Sequence, residues 1–176
     1  MIFRRAVPDD LASMLETVSR AQLYLKEHGI DQWQNGYPDS RQLVGDISGG
    51  ISYLLCSGDE LCCMAAVTLG LEDPTYTVID SGSWLSGEGI PYGVIHRFAV
   101  SDVFRGKGIA GMMILHIERL CLENGISFLR ADTHSDNLSM RHVLEKAGFS
   151  YRGIIYLADG APRSAYEKQL VHPAVT

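Results

Sequence analysis

Basic residues are in short supply. Fifteen Lys and Arg stand against 21 Asp and Glu, a formal charge of −6, which argues against a general binder of nucleic acid or of an anionic membrane. Cysteine is sparse as well: four in 176 residues do not make a disulfide framework. Cys62 and Cys63 are adjacent and would point to opposite faces of a strand, while Cys56 and Cys121 sit in apolar runs. No CxxC pair or spaced His partner suggests zinc. Reduced, buried thiols in a cytoplasmic protein are therefore expected. The uncharged apolar runs fall short of the roughly 18 residues a membrane span needs. The start, Met1-Ile2-Phe3-Arg4-Arg5-Ala6-Val7-Pro8, is basic but has no apolar stretch behind it, unlike a secretory signal. A GxSxG elbow is missing, as is a Cys/His pair with a local protease signature, so acyl-enzyme hydrolases find no support.

What is present describes a globular domain. Apolar residues make up 46% and charged residues 20%, and a length of 176 corresponds to about one domain. Residues 1–176 are therefore read as a single domain. Ile2 to Ala6 predicts a first strand, and Val7-Pro8-Asp9-Asp10 opens a helix with Leu11, Leu15, Val18 and Leu25 at helical spacing, stopped at Gly29. Asp31 to Ser40 is an aromatic and polar loop, and a short helix over about Arg41 to Ser48 follows. Ile51 to Cys56 and Glu60 to Thr68 flank Ser57-Gly58-Asp59 as a hairpin. Positions 71 to 91 suit no single element. Beyond them the pattern predicts a strand from Tyr92 to Val100, a helix from Gly106 to Asn124 and a strand from Phe128 to Asp132. A helix from Leu138 to Ala147 and strands over Tyr151 to Leu157 and around Ala165 to Leu170 complete a mixed α/β chain.

The chemistry concentrates where the strand ending at Val100 runs through Ser101-Asp102-Val103-Phe104-Arg105-Gly106-Lys107-Gly108 into the long helix. The first N–H groups of such a helix lack intrahelical partners, and its dipole is positive there. Glycines let an anion approach the backbone, and Arg105 and Lys107 add charge, so the segment suits a phosphate. A tight turn with basic decoration is the plainer reading. A P-loop would need Ser or Thr after its GK, and Ile109 follows Gly108 instead. Gly106, Gly108 and Gly111 match GxGxxG literally, with Asp132 about 20 residues on, as in a dinucleotide fold. There, however, the strand runs straight into its first glycine, whereas Ser101 to Arg105 intervene here.

A third template fits both halves of this region. Arg105-Gly106-Lys107-Gly108-Ile109-Ala110 resembles the Arg/Gln-x-x-Gly-x-Gly/Ala signature of the GNAT superfamily of N-acetyltransferases. Asn137 followed by Leu144-Glu145-Lys146-Ala147-Gly148-Phe149 resembles the family's Asn…LYEKxGF segment. The resemblance implies a bent mixed sheet of about six to seven strands with helices on both faces. It also implies acetyl-CoA as co-substrate, with its diphosphate on the backbone of Arg105, Gly106, Lys107, Gly108, Ile109 and Ala110. The pantetheine arm would lie along Phe98, Ala99 and Val100, a backbone N–H near Val100 would polarise the thioester carbonyl, and Asn137 would touch the coenzyme. The activity implied is acetyl transfer to a small-molecule or peptide amine by direct attack in a ternary complex. Proteins of this resemblance are frequently homodimers.

One departure concerns the proton donor. The family often places a tyrosine at the position of Leu144 to protonate the departing thiolate. A thiolate of ordinary pKa, about 8.5, is already a tolerable leaving group, so water or Tyr151 could serve. A non-catalytic CoA-binding or sensor domain is the alternative that Leu144 motivates. On the acceptor side, His96 is the candidate base, since imidazole passes protons near pH 7. It lies two residues before Phe98 and so on the same strand face; packing beneath the loop is the plainer role. Trp33 and Tyr37, with Trp84 and Tyr92, are candidate walls for the acceptor, and each could equally be ordinary cover for the core. Asp31, Asp39, Glu72 and Asp80 could hold a cationic amine, and each could equally be a solvated acid. His134 between Asp132 and Asp136 looks like a metal cluster but reads better as a polar loop with capping acids.

Overall fold

The computed structural model describes residues 1–70 and 73–171, which group into two compact units. One comprises Met1–Val67 with His96–Met113; the other comprises Thr68–Ile95 with the described part of Ile114–Thr176. In chain order the elements are β1 (Ile2–Arg5), α1 (Leu11–Glu27), α2 (Ser40–Ser48), β2 (Ser52–Ser57), β3 (Glu60–Leu69), β4 (Gly93–Val100), α3 (Ile109–Glu123), β5 (Phe128–Thr133), α4 (Leu138–Lys146), β6 (Ser150–Tyr156) and β7 (Pro162–Gln169). The strands form one mixed sheet of seven, ordered β1-β2-β3-β4-β5-β7-β6. β4 and β5 pair in parallel, whereas β1–β2, β2–β3, β5–β7 and β6–β7 are antiparallel. A doubly wound dinucleotide sheet is built from parallel pairs, so this topology overturns the GxGxxG reading.

In the first unit, α1 presents Met14, Val18 and Ala21 at helical spacing. They pack with Leu43 of α2 against Leu54 and Cys56 of β2, Met64 of β3 and Ala99 of β4. Of the expected stripe, Val18 and Leu25 are buried, whereas Leu11 and Leu15 lie at the rim and Met14 is fully covered in their place. Asp10 secures the entry to α1. Its carboxylate accepts the Val7 N–H at 2.8 Å and two guanidinium N–H groups of Arg4, each at 2.7 Å. Asp39 caps α2 by accepting from the Gln42 N–H at 2.8 Å.

The second unit explains why positions 71 to 91 resisted a reading, apart from Leu71 and Glu72, which lie outside the described residues. The segment is organised from a distance. Arg130 of β5 faces Glu167 of β7 across the ladder, and its Nε donates to Glu167 Oε1 at 2.9 Å. Its two terminal nitrogens donate to Ser86 Oγ at 2.7 Å and to the Tyr76 carbonyl at 3.2 Å. The guanidinium lies 3.9 Å from the ring centre of Trp84 and 3.7 Å from that of Tyr92. Glu167, fully buried, also accepts from Ser86 Oγ at 2.6 Å and from the backbone N–H of Leu85. Trp84 and Tyr92 therefore hold Arg130, which gives these two rings a packing role. Tyr76 ends a 3-10 turn, packs with Val94, Ile155 and Ala165, and donates its hydroxyl to Asp132 at 2.5 Å. Burial pushes the Tyr76 phenol well above its ordinary pKa and raises the Asp132 carboxyl. Gly82 runs so close to β6 that a Cβ there would sit 1.7 Å from the Arg152 carbonyl oxygen.

Candidate active site

β4 ends with the Ser101 N–H donating to the Cys62 carbonyl at 2.9 Å, which moors it to β3. A 3-10 turn over Asp102–Phe104 follows, and Arg105 returns to extended backbone. Gly106 and Gly108 then adopt φ of +74° and +77°, conformations that a side chain would make costly. α3 begins only at Ile109, three residues later than the hydrophobic pattern suggested, because these left-handed residues cannot join a right-handed helix. A Cβ built on Gly106, Gly108 or Gly111 meets nothing within 4 Å. The turn is thus open at the end of α3 where unpartnered amides and the positive dipole lie.

α1 braces this turn. Arg20 pairs with Asp102 at 3.5 Å, and one helical turn on the Tyr24 ring lies 4.3 Å beneath the Arg105 guanidinium. Lys107 stands 5.3 Å over Phe104. Both signature cations therefore rest on aromatic faces, and both residues are exposed.

Earlier in β4 the backbone is strained. Arg97 has φ of +49°, a left-handed conformation costing a non-glycine residue about 1–2 kcal/mol. Its Nε and Nη2 donate to Asp46 of α2 at 2.5 and 2.9 Å, and its Nη1 donates to the Tyr37 hydroxyl at 2.8 Å. The Asp46 carboxylate also accepts from Gln42 Nε2 at 2.9 Å. Tyr37 sits on the 31–39 loop, anchored by Gln22 Nε2 donating to the Tyr37 carbonyl at 3.0 Å and Gln34 Nε2 donating to the Gln22 carbonyl at 3.1 Å. The alternation that set His96 and Phe98 on one face assumes a regular strand, and it does not carry across a left-handed residue.

Residues 22–149 match the family model described as the Acetyltransferase (GNAT) family. The chain belongs to the GNAT acetyltransferase family. A GNAT-family acetyltransferase from Streptococcus agalactiae is 32% identical, with a TM-score of 0.85 over 97% of this chain and 96% of that one. A GNAT-family acetyltransferase from Listeria monocytogenes is 23% identical, with a TM-score of 0.72 over 96% and 94%. The ribosomal-protein-S18-alanine N-acetyltransferase from Escherichia coli shares the fold at 12% identity, with a TM-score of 0.64 over 99% and 96%. No curated protein is similar in sequence to this chain.

The GNAT signature residues Arg105 to Gly108 thus form one exposed turn, reached from Phe98, Ala99 and Val100, and the signature continues into α3 at the buried Ile109 and half-buried Ala110. Ala99 is buried, and Phe98 and Val100 are half-buried. Asn137 belongs to the second unit, where it caps α4 by accepting from the Met140 N–H at 3.1 Å. Leu144, at the position of the GNAT tyrosine, is fully buried. Tyr151 is 50% exposed and meets Tyr166 edge-on. His96 is half-buried beside the kinked Arg97. Trp33 lines a recess of about 270 Å³ with Gln22, Leu23, Lys26, Gln34 and Gly36, and Gln22 also donates to the Tyr37 carbonyl. His134 Nδ1 accepts from the Asp136 N–H at 3.2 Å, and Asp132 is engaged by Tyr76. Among the described residues, no cluster of three or more His, Cys, Asp or Glu could hold a metal ion. All four thiols are free and buried. Burial raises the pKa of each, that of Cys121 to about 12, which suits inert core packing better than nucleophilic chemistry. No described helix is long and apolar enough to cross a membrane.

Asp46, Arg97 and Tyr24 are site features the sequence reading missed. Asp46 did leave a signal. It shares the buried face of α2 with Leu43, and an acid on an apolar face needs a buried partner. Arg97 left none, since no local pattern marks an arginine for left-handed backbone.

Proposed function

We propose that this chain is an N-acetyltransferase that moves the acetyl group of acetyl-CoA to a primary amine of a small molecule or peptide, by direct attack in a ternary complex. The observation that carries this reading is the open glycine turn before α3, where Gly106 and Gly108 take left-handed backbone and leave free space above them. Bound there, acetyl-CoA supplies an activated acyl thioester. The amides of Gly106, Gly108, Ile109 and Ala110 hold its diphosphate, since those of Arg105 and Lys107 already donate to the Asp102 and Phe104 carbonyls. The Arg105 and Lys107 side chains add charge, and Phe98 to Val100 lie along its pantetheine arm. The Val100 N–H accommodates negative charge developing on the carbonyl oxygen. His96 takes the proton from the attacking amine, the bond from acyl carbon to nitrogen forms, and the bond to sulfur breaks. The thiolate is protonated by water. Tyr37 and Trp33 flank the acceptor, and the cytoplasm is the compartment these reduced thiols suit.

Gly108→Val tests the reading. The new side chain meets nothing within 4 Å but strains the left-handed backbone at 108 by about 1–2 kcal/mol, a local cost that the fold should survive by circular dichroism. Losing two charge-assisted amide contacts, about 3 kcal/mol, should weaken acetyl-CoA binding about 100-fold in calorimetry. Unchanged affinity would overturn the assignment. The buried Leu144 in place of the GNAT tyrosine favours a second reading, a non-catalytic CoA-binding domain. Tight coenzyme binding with no thiol release above hydrolysis, across a panel of primary amines, would select it.

A further inference from the structure

The kink at Arg97 and the ion pair beneath it are best understood together. An arginine can pair with a buried carboxylate from an ordinary strand, as Arg130 does with Glu167, so the left-handed backbone at Arg97 is not needed to make a pair. Nor is a buried pair of this kind a strong source of stability compared with apolar packing. What the arrangement supplies is direction. The Arg97 and Asp46 side chains are 9% and 4% exposed, and a planar fork on a carboxylate has little freedom to shift. Gln42 fixes the carboxylate from one side, and α2 carries both residues. The third guanidinium nitrogen reaches the Tyr37 hydroxyl. One cation thereby ties together α2, the 31–39 loop and the strand that continues as Phe98, Ala99 and Val100.

We propose that Arg97 is a positioning residue: clamped by Asp46, it holds the kink in β4 that aims the Phe98–Val100 amides at the acetyl carbonyl, and Tyr37 couples the acceptor-side loop to the same clamp. This rests on the acetyl-CoA reading above. It assigns Arg97, Asp46 and Tyr37 no contact with the reacting atoms.

The test uses the full chain and acetyl-CoA carrying carbon-13 at the acetyl carbonyl, with unlabelled CoA as the binding control. In the wild-type protein the bound carbonyl resonance should move downfield, since a donor polarises it. Arg97→Lys keeps the charge and loses the fork. The double variant Arg97→Gly with Asp46→Asn removes both charges and places a residue at 97 that suits the backbone, so it should fold even where the lysine variant does not. Each should bind CoA within about twofold of wild type yet lose about half or more of the downfield shift, because a misplacement of about 1 Å is enough to weaken such a contact. Tyr37→Phe, on an exposed ring, should lose a smaller part. Full retention of the shift in either Arg97 variant overturns the proposal and leaves the coenzyme reading intact. A wild-type protein that binds acetyl-CoA without any downfield shift overturns it as well. A wild-type protein that binds neither CoA nor acetyl-CoA overturns the coenzyme reading itself.

Discussion

Two buried arginine–carboxylate pairs, one in each unit, show the same chemistry set to different ends. Arg130 and Glu167 sit on regular, directly paired strands. Their remaining polar atoms meet Ser86, the Leu85 amide and the Tyr76 carbonyl, with aromatic rings of Trp84 and Tyr92 against the guanidinium. Arg97 and Asp46 join a strained strand to a helix and send their spare donor to a half-exposed tyrosine. The first pair organises a long segment that has little regular structure of its own. The second spends conformational strain to fix a direction. Burial and bidentate geometry alone therefore do not tell a structural pair from a positioning one; the backbone beneath it and the destination of the third donor do.

The largest effect is expected from Glu167→Ala. It leaves Arg130 charged and buried without its carboxylate, which should cost about 3–5 kcal/mol of unfolding free energy in urea. Arg97→Gly alone removes a fork from Asp46 but also relieves the left-handed strain, so the two terms partly cancel. A net loss of about 2 kcal/mol is expected in the same measurement. Equal losses in the two variants would break the comparison, since they would mean that Arg97 carries no strain worth relieving.

Tyr76→Phe sharpens the picture of the segment that Arg130 organises. Removing the hydroxyl deprives Asp132 of its donor, at a cost of about 1–3 kcal/mol. The phenol pKa is raised in the folded protein by burial. Its contribution is therefore fully present below the unfolded phenol pKa of about 10 and is lost as pH rises beyond it, because only the unfolded chain then gives up the proton. Wild type and variant should accordingly show no tyrosinate difference at 295 nm near pH 10, and their stability difference should narrow as pH rises further. A tyrosinate signal near pH 10 that vanishes in Tyr76→Phe would show the hydroxyl to be solvated.

Legibility of the chain followed the same division between local and distant causes. Helical spacing at Leu11, Leu15, Val18 and Leu25, the Ser57-Gly58-Asp59 turn and the glycines before α3 are signals written within a few residues, and those elements stand where they were expected to within a few positions. The signature turn was legible because its requirements, small residues and a following helix, are local too. Positions 73 to 91 were not, since their shape comes from Arg130 and Glu167, far along the chain. The kink at Arg97 is the sharpest case: what holds it is Asp46, 51 residues away in sequence, and only the structure brings the two together.

A third pair gives the low end of the scale. Arg4 and Asp10 make a bidentate contact at 2.7 Å, but the arginine side chain is 39% exposed, so water screens much of what the geometry offers. Asp10→Asn should therefore cost only about 1 kcal/mol, chiefly through the weakened acceptor for the Val7 N–H at the start of α1. The Arg4 hydrogen bonds hold the Asp10 carboxyl below its ordinary pKa. Its contribution is then present above the unfolded carboxyl pKa of about 3.9 and is lost as pH falls through the folded value. Urea midpoints for wild type and Asp10→Asn should differ by a constant amount between about pH 5 and 8 and converge below about pH 4. A gap that persists at low pH would mean that the substitution acts through packing and that the charge of Asp10 contributes nothing, which would leave burial as the factor separating this pair from the other two.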